Sequence, residues 1–497
     1  MSDRSCEAGT DLGADEIGDR ATLRDELLAQ FERWGIDLSS DLGDHGSLIA
    51  SGLFDSLVLF NLVLWIEAKT GHAIDPTSVD IAQEWDSVAD ILRYLRRTLD
   101  VSASGGARRS RAARSPLPQS GYRIVRYDPS FKHAVAQFQT GLWSPDPELN
   151  RRYLEWKHES NPYSDATDIF LAFYNDELVG MRGFYASRWE AGVPTRRWTV
   201  LVADDLLVRE DHRNRGLVTR IMQAAYDGLR DSEAQFLFNL SGGKLTVLGS
   251  LTMGWRSIGM LKPLGRRSRG GALCRSLRFH LSRAPYLWRY TKGELLYSAA
   301  ERLPFKRLDH TDNPFATRAG PAVEIDVCPR PKAMAALIDR IGHDGRLRHV
   351  RDEQYFDWRF RDPLREYRYL YVGKDALDGY LVLKREIGKP EPHPRVNIVD
   401  FEAINGCVQA ALLEAAVEAG AFAELVIWSA TANDQLLNHL GANGFTPVDQ
   451  ELTALGCPCI LVRPTKDEYL DEDWRLGDTR LLDPANWDMR MLFSMAG

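Results

Sequence analysis

The hydrophobic and polar positions of this 497-residue chain change their spacing near residue 120. Before that point, apolar residues recur every three or four positions, the spacing of helices. Four helical segments are predicted there: 21–35, Ser56–Thr70, a short turn at 79–84, and 86–99. From Tyr122 onward, short apolar runs alternate with helical ones, which indicates an α/β or α+β fold.

An internal repeat divides the α/β part of the chain. The motif Tyr-Leu-Glu-Trp-Lys at 153–157 recurs 202 residues later as Tyr-Phe-Asp-Trp-Arg at 355–359. Each copy precedes two predicted strands, and each later ends with a strand, a helix and a glycine followed by an aromatic residue. A duplicated domain explains this order. We therefore expect α/β domains with mixed sheets at 122–260 and 321–497.

Length and composition indicate a soluble protein of two to four domains. Hydrophobic residues make up 44% and charged residues 27% of the chain, which are ordinary globular fractions. The sequence contains neither an apolar run of about 18 residues nor an N-terminal signal region, so a cytoplasmic protein with no transmembrane segment is expected. The six cysteines lack the spacing of a zinc site, and no metal is expected.

Charge is distributed unevenly along the chain. Residues 1–100 hold 20 Asp and Glu against 8 Lys and Arg, and we expect residues 1–20 to be a disordered acidic N-terminus. A flexible linker is predicted at 101–121, which is rich in Ser, Gly, Ala, Pro and Arg. Residues 262–307 hold 12 Lys and Arg against 2 Glu, and a basic helical connector is predicted at 261–320. Its charge could dock an acidic surface or simply face solvent; no other feature supports nucleic-acid binding.

Ser56 lies where a polar loop enters a strongly apolar helix, in the sequence Leu-Phe-Asp-Ser-Leu at 53–57. A serine there is a favoured helix N-cap, because its oxygen accepts a hydrogen bond from an unpaired backbone N–H. The order of short helices over 21–100, with Asp-Ser-Leu opening the second, also resembles an acyl carrier protein. In that family the serine carries a 4′-phosphopantetheine arm. The resemblance implies attachment at Ser56, with a phosphopantetheinyl transferase and an acyl-loading enzyme or synthase as partners.

A second candidate site follows the strand predicted at 197–208. The turn after it reads Arg213-Asn214-Arg215-Gly216-Leu217-Val218, and backbone N–H groups at such a helix start can bind a pyrophosphate, aided by the two arginines. The turn resembles the acyl-CoA loop of the GNAT superfamily of N-acyltransferases, Arg/Gln-x-x-Gly-x-Gly/Ala, except that Val218 occupies the last position. The resemblance covers about 122–260. It implies acyl-CoA binding by these six residues and thioester binding by the backbone of Leu207 or Val208.

Acyl transfer to an amine needs a base for the amine and an acid for the departing thiolate. Asp204 and Asp205 precede the loop, and the period of two in a strand predicts opposite faces for them. Either could be the catalytic base, Asp205 being the better positional match, or a structural carboxylate at a strand end. The tyrosine acid common in the family has no counterpart at 241–253, so water or Ser241 would replace it. His212 is expected to be exposed and incidental.

The predicted fold is thus multidomain: an all-α four-helix carrier domain at 21–100, followed by two α/β GNAT-like domains with mixed sheets. The second copy lacks the cofactor loop, and we expect it either to shape the acceptor site or merely to pack against the first. The predicted function is transfer of an acyl group between CoA or a carrier thioester and a small-molecule amine, in secondary or in lipid or polysaccharide metabolism. An acyl-loading or decarboxylating protein, and a non-catalytic carrier and docking module, are the alternatives.

Overall fold

The computed structural model describes residues 14–34, 36, 43–46, 48, 56–70, 84–103, 121–267, 316–317 and 320–495. Gaps within these ranges fall at 165–166, 214–216, 242–245, 248–249, 251–252, 388–394, 421, 423, 449–458 and 467–473. The chain divides into two compact units, Met1–Leu117 with Leu245–Thr252, and Pro118–Lys244 with Met253–Gly497.

The described residues of the first unit are mostly helical. Its helices are α1 (Ala14–Arg33), α2 (Ser56–Thr70) and α3 (Val88–Ala103). Helix α2 has the predicted bounds, but α1 begins at Ala14, so residues 14–20 are helical where disorder was predicted. Helix α3 buries Val88, Ile91, Leu92 and Leu95, the three- and four-residue spacing of an amphipathic helix. The turn predicted at 79–84 lies almost wholly outside the described residues.

The second unit is built on two mixed sheets with helices packed on them. Its strands are β1 (Tyr122–Arg126), β2 (Asp168–Tyr174), β3 (Glu177–Ala191), β4 (Arg196–Val208), β5 (Phe236–Asn239), β6 (Arg256–Met260), β7 (Pro263–Arg267), β8 (Glu324–Asp326), β9 (Arg348–His349), β10 (Arg365–Val372), β11 (Gly379–Glu386), β12 (Arg395–Ala403), β13 (Glu424–Trp428), β14 (Thr446–Pro447), β15 (Cys459–Pro464), β16 (Arg475–Leu476) and β17 (Thr479–Arg480). Its longer helices are α4 (Lys132–Phe138), α5 (Pro147–Leu154), α6 (Leu217–Leu229), α7 (Pro331–Ile341), α8 (Glu353–Arg359), α9 (Gly406–Glu418) and α10 (Asp434–Ala442).

Each sheet takes strands from the other part of the unit; in the first sheet these are β15 and β9, which pairs with β3. The first sheet has the order β1-β2-β3-β4-β5-β15-β6, and the second has the order β14-β7-β13-β12-β11-β10-β8. Strand β15 comes from the C-terminal half, and β7 comes from the N-terminal half. Residues 263–267 are therefore a strand where a helical connector was predicted. The first sheet is thus completed by β15, from 321–497, and the second by β7, from the segment predicted as a connector.

The two copies of the repeat motif meet where the halves pack together. Trp156, in a π-helical turn that continues α5, stacks on Trp358 of α8 with ring centroids 4.9 Å apart. The segment 492–495 is buried beside them. Its backbone accepts hydrogen bonds from the hydroxyls of Tyr185 and Tyr355, one from each half.

The described helices include none with the length and apolar character needed to cross a membrane.

Candidate functional site

A β-bulge places two carboxylates at the end of β4. Gly183 pairs with Asp204 and Met181 pairs with Leu207, so the two residues between, Asp205 and Leu206, face one residue of β3. Asp205 has φ +56°, in the left-handed region that aspartate tolerates better than most residues. The bulge interrupts the alternation of side chains. The predicted placement of Asp204 and Asp205 on opposite faces is wrong, since both contact the same lysine.

Lys157 is that lysine, and it is fully buried. Its Nζ donates to Oδ2 of Asp204 at 2.7 Å and to Oδ2 of Asp205 at 2.9 Å. The rings of Tyr153 and Tyr185 lie with their centroids 5.3 Å from the same Nζ, as does Trp143. Burial alone would lower the pKa of Lys157, but the two carboxylates outweigh it and raise the pKa. Lys157 is therefore a protonated cation surrounded by three aromatic rings.

Asp205 is engaged at both oxygens. Its Oδ1 accepts a 2.6 Å hydrogen bond from Nε1 of Trp143, and its Oδ2 lies 2.9 Å from Nε2 of His158 in addition to Lys157. Burial alone would raise the pKa of Asp205, but Lys157 and the hydrogen bond from His158 hold it well below its usual range. A Cβ on Gly183 would lie 2.8 Å from Oδ2 of Asp205. The glycine thus provides the room that this buried, ionised carboxylate needs.

Asp204 connects this cluster to the next strand. Its side chain is 8% exposed, and its Oδ1 accepts a 3.1 Å hydrogen bond from Oγ of Ser241, which follows β5. In the described residues, the parallel pairing of β4 with β5 ends at Val202 and Phe238. The two strands therefore separate before they reach Asp204 and Ser241, and this hydrogen bond spans the opening between them.

The backbone of Val208 points into the same opening. The N–H of Arg209 donates to the carbonyl of Val179 in β3, so the neighbouring Val208 points its own N–H and carbonyl away from β3. The Val208 carbonyl instead accepts a 3.2 Å hydrogen bond from Nε of Arg213. By the same alternation, Leu207 faces β3. Of the two predicted thioester contacts, Val208 has the suitable orientation.

The predicted acyl-CoA loop is described in part. Arg213 lies at its start, and α6 begins with Leu217 and Val218. Asn214, Arg215 and Gly216 lie outside the described residues. His212, expected to be exposed, is buried, with Nδ1 2.9 Å from the hydroxyl of Tyr122. This contact gives His212 a structural role, because it links the turn to β1.

The second half contributes another cation, Arg365, next to two of the rings that surround Lys157. The Arg365 guanidinium lies 5.4 Å from the ring centroids of Trp143 and Tyr153, and it pairs with Asp362 and Glu386 of its own half.

In the second half, the helix that corresponds to α6 is α9, and it begins differently. There Asn405 caps α9 by accepting from the N–H of Val408. A Cβ on Gly406 would lie 2.0 Å from Nε2 of Gln435, so the side chain of Gln435 packs against the start of this helix.

Lys157 and His158 are not among the site residues that the sequence predicts. A lysine between two acidic residues on a helix, here Glu155 and Glu159, normally faces solvent. The repeat held a signal, since Lys157 aligns with Arg359 and both positions are basic. Both side chains are buried and pair with aspartates.

Residues 132–241 match the model of the acetyltransferase (GNAT) family. The chain thus contains a GNAT domain, whose cosubstrate is an acyl-CoA, and it is an N-acyltransferase enzyme, as predicted. The matched residues include α4 to α6, the bulge, Asp204, Asp205 and Ser241.

Among solved structures, the chain is similar to a GCN5-related N-acetyltransferase from Anabaena variabilis ATCC 29413, with a TM-score of 0.44 and 10% identity over 69% of this chain and 73% of that one. It is also similar to a probable N-acyltransferase from Enterococcus faecalis V583, with a TM-score of 0.44 and 10% identity over 70% and 73% of the two chains. A tandem GNAT protein from the clavulanic acid biosynthesis pathway has a TM-score of 0.41 and 13% identity over 70% of this chain and 100% of that one. No curated protein sequence matches the chain.

Proposed function

We propose that the GNAT domain transfers the acyl group of an acyl-CoA to a small-molecule amine in the opening between β4 and β5. The observation that carries this proposal is the connected group Lys157, Asp204 and Ser241 at that opening. A carboxylate and a hydroxyl in contact supply the two proton-transfer groups that aminolysis of a thioester needs.

The donor would be held by backbone groups. The start of α6, with Arg213, Asn214, Arg215, Gly216, Leu217 and Val218, would bind the pyrophosphate through N–H groups and positive charge. The N–H of Val208 would donate to the thioester carbonyl and stabilise the negative charge that develops on its oxygen. The orientation of the Val208 backbone, away from β3, supports this assignment.

Protons would pass through Asp204 and Ser241. As the amine nitrogen attacks the thioester carbon, Asp204 accepts a proton from that nitrogen. The carbon–sulfur bond then breaks, and the Ser241 hydroxyl donates its proton to the thiolate while taking one back from Asp204. The products are an amide and free CoA thiol. Asp205, predicted as a catalytic residue, is fitted for a positioning role, because its two buried oxygens already accept from three side chains.

The test is steady-state acylation of an amine panel with labelled acetyl-CoA. Asp204→Asn and Ser241→Ala are each expected to lower kcat by roughly 10²–10⁴-fold, while the Kd for CoA changes little. Ser232→Ala is the control, since Ser232 lies in the turn after α6 and contacts the Ala234 carbonyl. Full activity of Asp204→Asn would refute the assignment of the base.

We also propose that the first unit is an acyl carrier, with 4′-phosphopantetheine on Ser56. Helix α2 begins at Ser56, the position that the resemblance to carrier proteins requires. The helices enclose a common apolar core, which supports a small helical domain; its members include Leu27, Phe31, Leu62, Ile66, Ile91 and Leu95. A phosphopantetheinyl transferase would install the arm, and an acyl-loading enzyme or synthase would charge it, in secondary or in lipid or polysaccharide metabolism.

Intact mass after incubation with a phosphopantetheinyl transferase and CoA tests the carrier. The wild type is expected to gain one phosphopantetheine, and Ser56→Ala none. Ser87→Ala is the matched control, because Ser87 caps α3 by accepting from the N–H of Asp90 and should not affect the modification. A mass gain that persists in Ser56→Ala would exclude Ser56 as the attachment site.

A further inference from the structure

Arg182 is a buried cation that pairs with no carboxylate among the residues that the structure describes. It lies in β3 opposite the bulge and is 3% exposed. Its Nε makes no hydrogen bond, and its guanidinium forms no ion pair with any residue that the structure describes. The ring of Phe184, with its centroid 5.6 Å away, is its aromatic neighbour. A buried charge left unpaired is costly, and an anion from outside the chain would stabilise it.

Other buried cations of this unit show the contrast. Lys157 donates to Asp204 at 2.7 Å, Arg351 to Asp400 at 2.9 Å, and Arg359 to Asp362 at 3.0 Å. Each therefore has a carboxylate partner within the fold.

Arg182 lies on the face of the sheet that α6 covers. A Cβ on Gly180 would lie 2.9 Å from Cδ1 of Ile221 in α6, and Arg182 is two residues further along β3, on the same face. Gly183 faces the other way, toward Asp205 and the Lys157 cluster. Arg182 therefore shares its face with the start of α6, where the pyrophosphate of the donor would bind.

Arg182 lies far along α6 from the proposed pyrophosphate site. Burial lowers the pKa of Arg182, and the charges that partly oppose this come from Asp204, Tyr226 and Asp205. Tyr226 lies nine residues beyond Leu217, about 14 Å along α6 at 1.5 Å per residue. Arg182 is thus at the level of the bulge, where the acyl end of the donor would lie, rather than at the start of the helix.

Asn239 provides a second donor on the same face. Its Nδ2 is buried and has no hydrogen-bond partner in the part of the chain that the structure describes. Leu201 pairs with Leu237, which aligns Ala203 with Asn239, and Phe184 pairs with Ala203. Side chains in register on adjacent strands point to one face, so Asn239 lies on the face of Phe184 and Arg182. A guanidinium and an amide N–H together suit a carboxylate.

We propose that Arg182 and Asn239 bind a carboxylate at the far end of the donor's acyl group. The donor class is then a CoA thioester of a dicarboxylic acid. This inference rests on the proposed function, since it assumes that an acyl-CoA occupies the opening between β4 and β5.

Calorimetric titration of the full chain with CoA, butyryl-CoA and succinyl-CoA tests the inference, because the two thioesters share a four-carbon acyl chain and differ in the terminal charge. The wild type is expected to bind succinyl-CoA about tenfold or more tightly than butyryl-CoA. Arg182→Met should abolish that preference and leave the Kd for CoA unchanged. Arg188→Met, on the same strand and face, should keep the preference.

Equal binding of the two thioesters by the wild type, or a preference that survives in Arg182→Met, would overturn the inference. A wild type that binds no CoA at all would instead overturn the proposed function. Thermal unfolding without ligand gives a second readout. Arg182→Met should unfold at the same or a higher temperature than the wild type, because it removes an unpaired buried charge; a clear decrease would reveal an internal partner and contradict the inference.

Discussion

Trp156 and Trp358 each donate a hydrogen bond to the backbone of the other. Nε1 of Trp156 lies 2.7 Å from the carbonyl oxygen of Trp358, and Nε1 of Trp358 lies 2.9 Å from the carbonyl oxygen of Trp156. They occupy equivalent positions in the two repeat motifs, 202 residues apart. The two copies of the motif thus form a reciprocal pair of hydrogen bonds that joins the halves.

Replacing either tryptophan by phenylalanine should destabilise the second unit. Each change removes the indole donor of a carbonyl, although the Trp358 carbonyl keeps a hydrogen bond from the N–H of Arg361. We expect a loss of about 1–3 kcal/mol in the free energy of unfolding, measured with urea. The two changes should be non-additive by about 0.5–3 kcal/mol, because the rings also stack. Trp487→Phe is the control for non-additivity. It removes a buried hydrogen bond from Nε1 of Trp487 to the Leu481 carbonyl, and this bond has no reciprocal counterpart. Strict additivity of Trp156→Phe and Trp358→Phe would contradict the coupling.

Lys157→Met should be strongly destabilising. It leaves two buried carboxylates without their common cation, for which we expect a loss of about 3–5 kcal/mol in the free energy of unfolding. Lys132→Met is the matched control, since Lys132 also bridges two carboxylates, Glu155 and Glu159, but at the surface. There the loss should stay below about 1 kcal/mol. Similar losses for both variants would show that the buried cluster has no special role in stability.

Gly183→Ala should lower both stability and activity. The added methyl would lie 2.8 Å from Oδ2 of Asp205 and 3.1 Å from its Cβ, so the carboxylate must leave its place beside Lys157. We expect a loss of about 1–3 kcal/mol, typical of overpacking, together with a lower kcat. Gly441→Ala is the control, because nothing lies within 4 Å of the added atom and Gly441 is inside a helix. That variant should be stabilised by up to about 1 kcal/mol; a neutral Gly183→Ala would argue against the crowding.

His349 should make the protein less stable in mild acid. Burial lowers the pKa of His349 to about 3, and Arg351, Arg359 and Arg188 act in the same direction. The unfolded chain, with a pKa of about 6.5, binds this proton first as the pH falls. The free energy of unfolding should therefore fall by up to about 1.4 kcal/mol per pH unit below pH 6.5 and be unaffected by this group above it.

The comparison of wild type with His349→Phe isolates this effect. Urea unfolding between pH 5 and 8 should give a smaller acid slope for the variant, by about one proton. Parallel curves for the two proteins would contradict the assignment. The hydroxyl of the neighbouring Tyr355 bonds to Leu492, so the phenylalanine replaces an imidazole without removing that bond.

The sequence predicted those features that depend on local periodicity. Helix α2 from Ser56 to Thr70 follows from apolar spacing, and the GNAT domain that matches at 132–241 was predicted from the turn at 213–218. The placement of Asp204 and Asp205 failed because a bulge adds a residue to one strand, and no local pattern marks it. Lys157 was missed because its partners lie 47 and 48 residues away and meet it only in the folded sheet.

The exchange of β7 and β15 between the sheets limits how the chain can be divided. Strand β15 lies between β5 and β6, inside the sheet that holds Asp204. Deleting the C-terminal part of the chain would therefore expose the edge of β5, the strand that precedes Ser241. A split between β7 and β8 would leave each fragment without a strand of its own sheet.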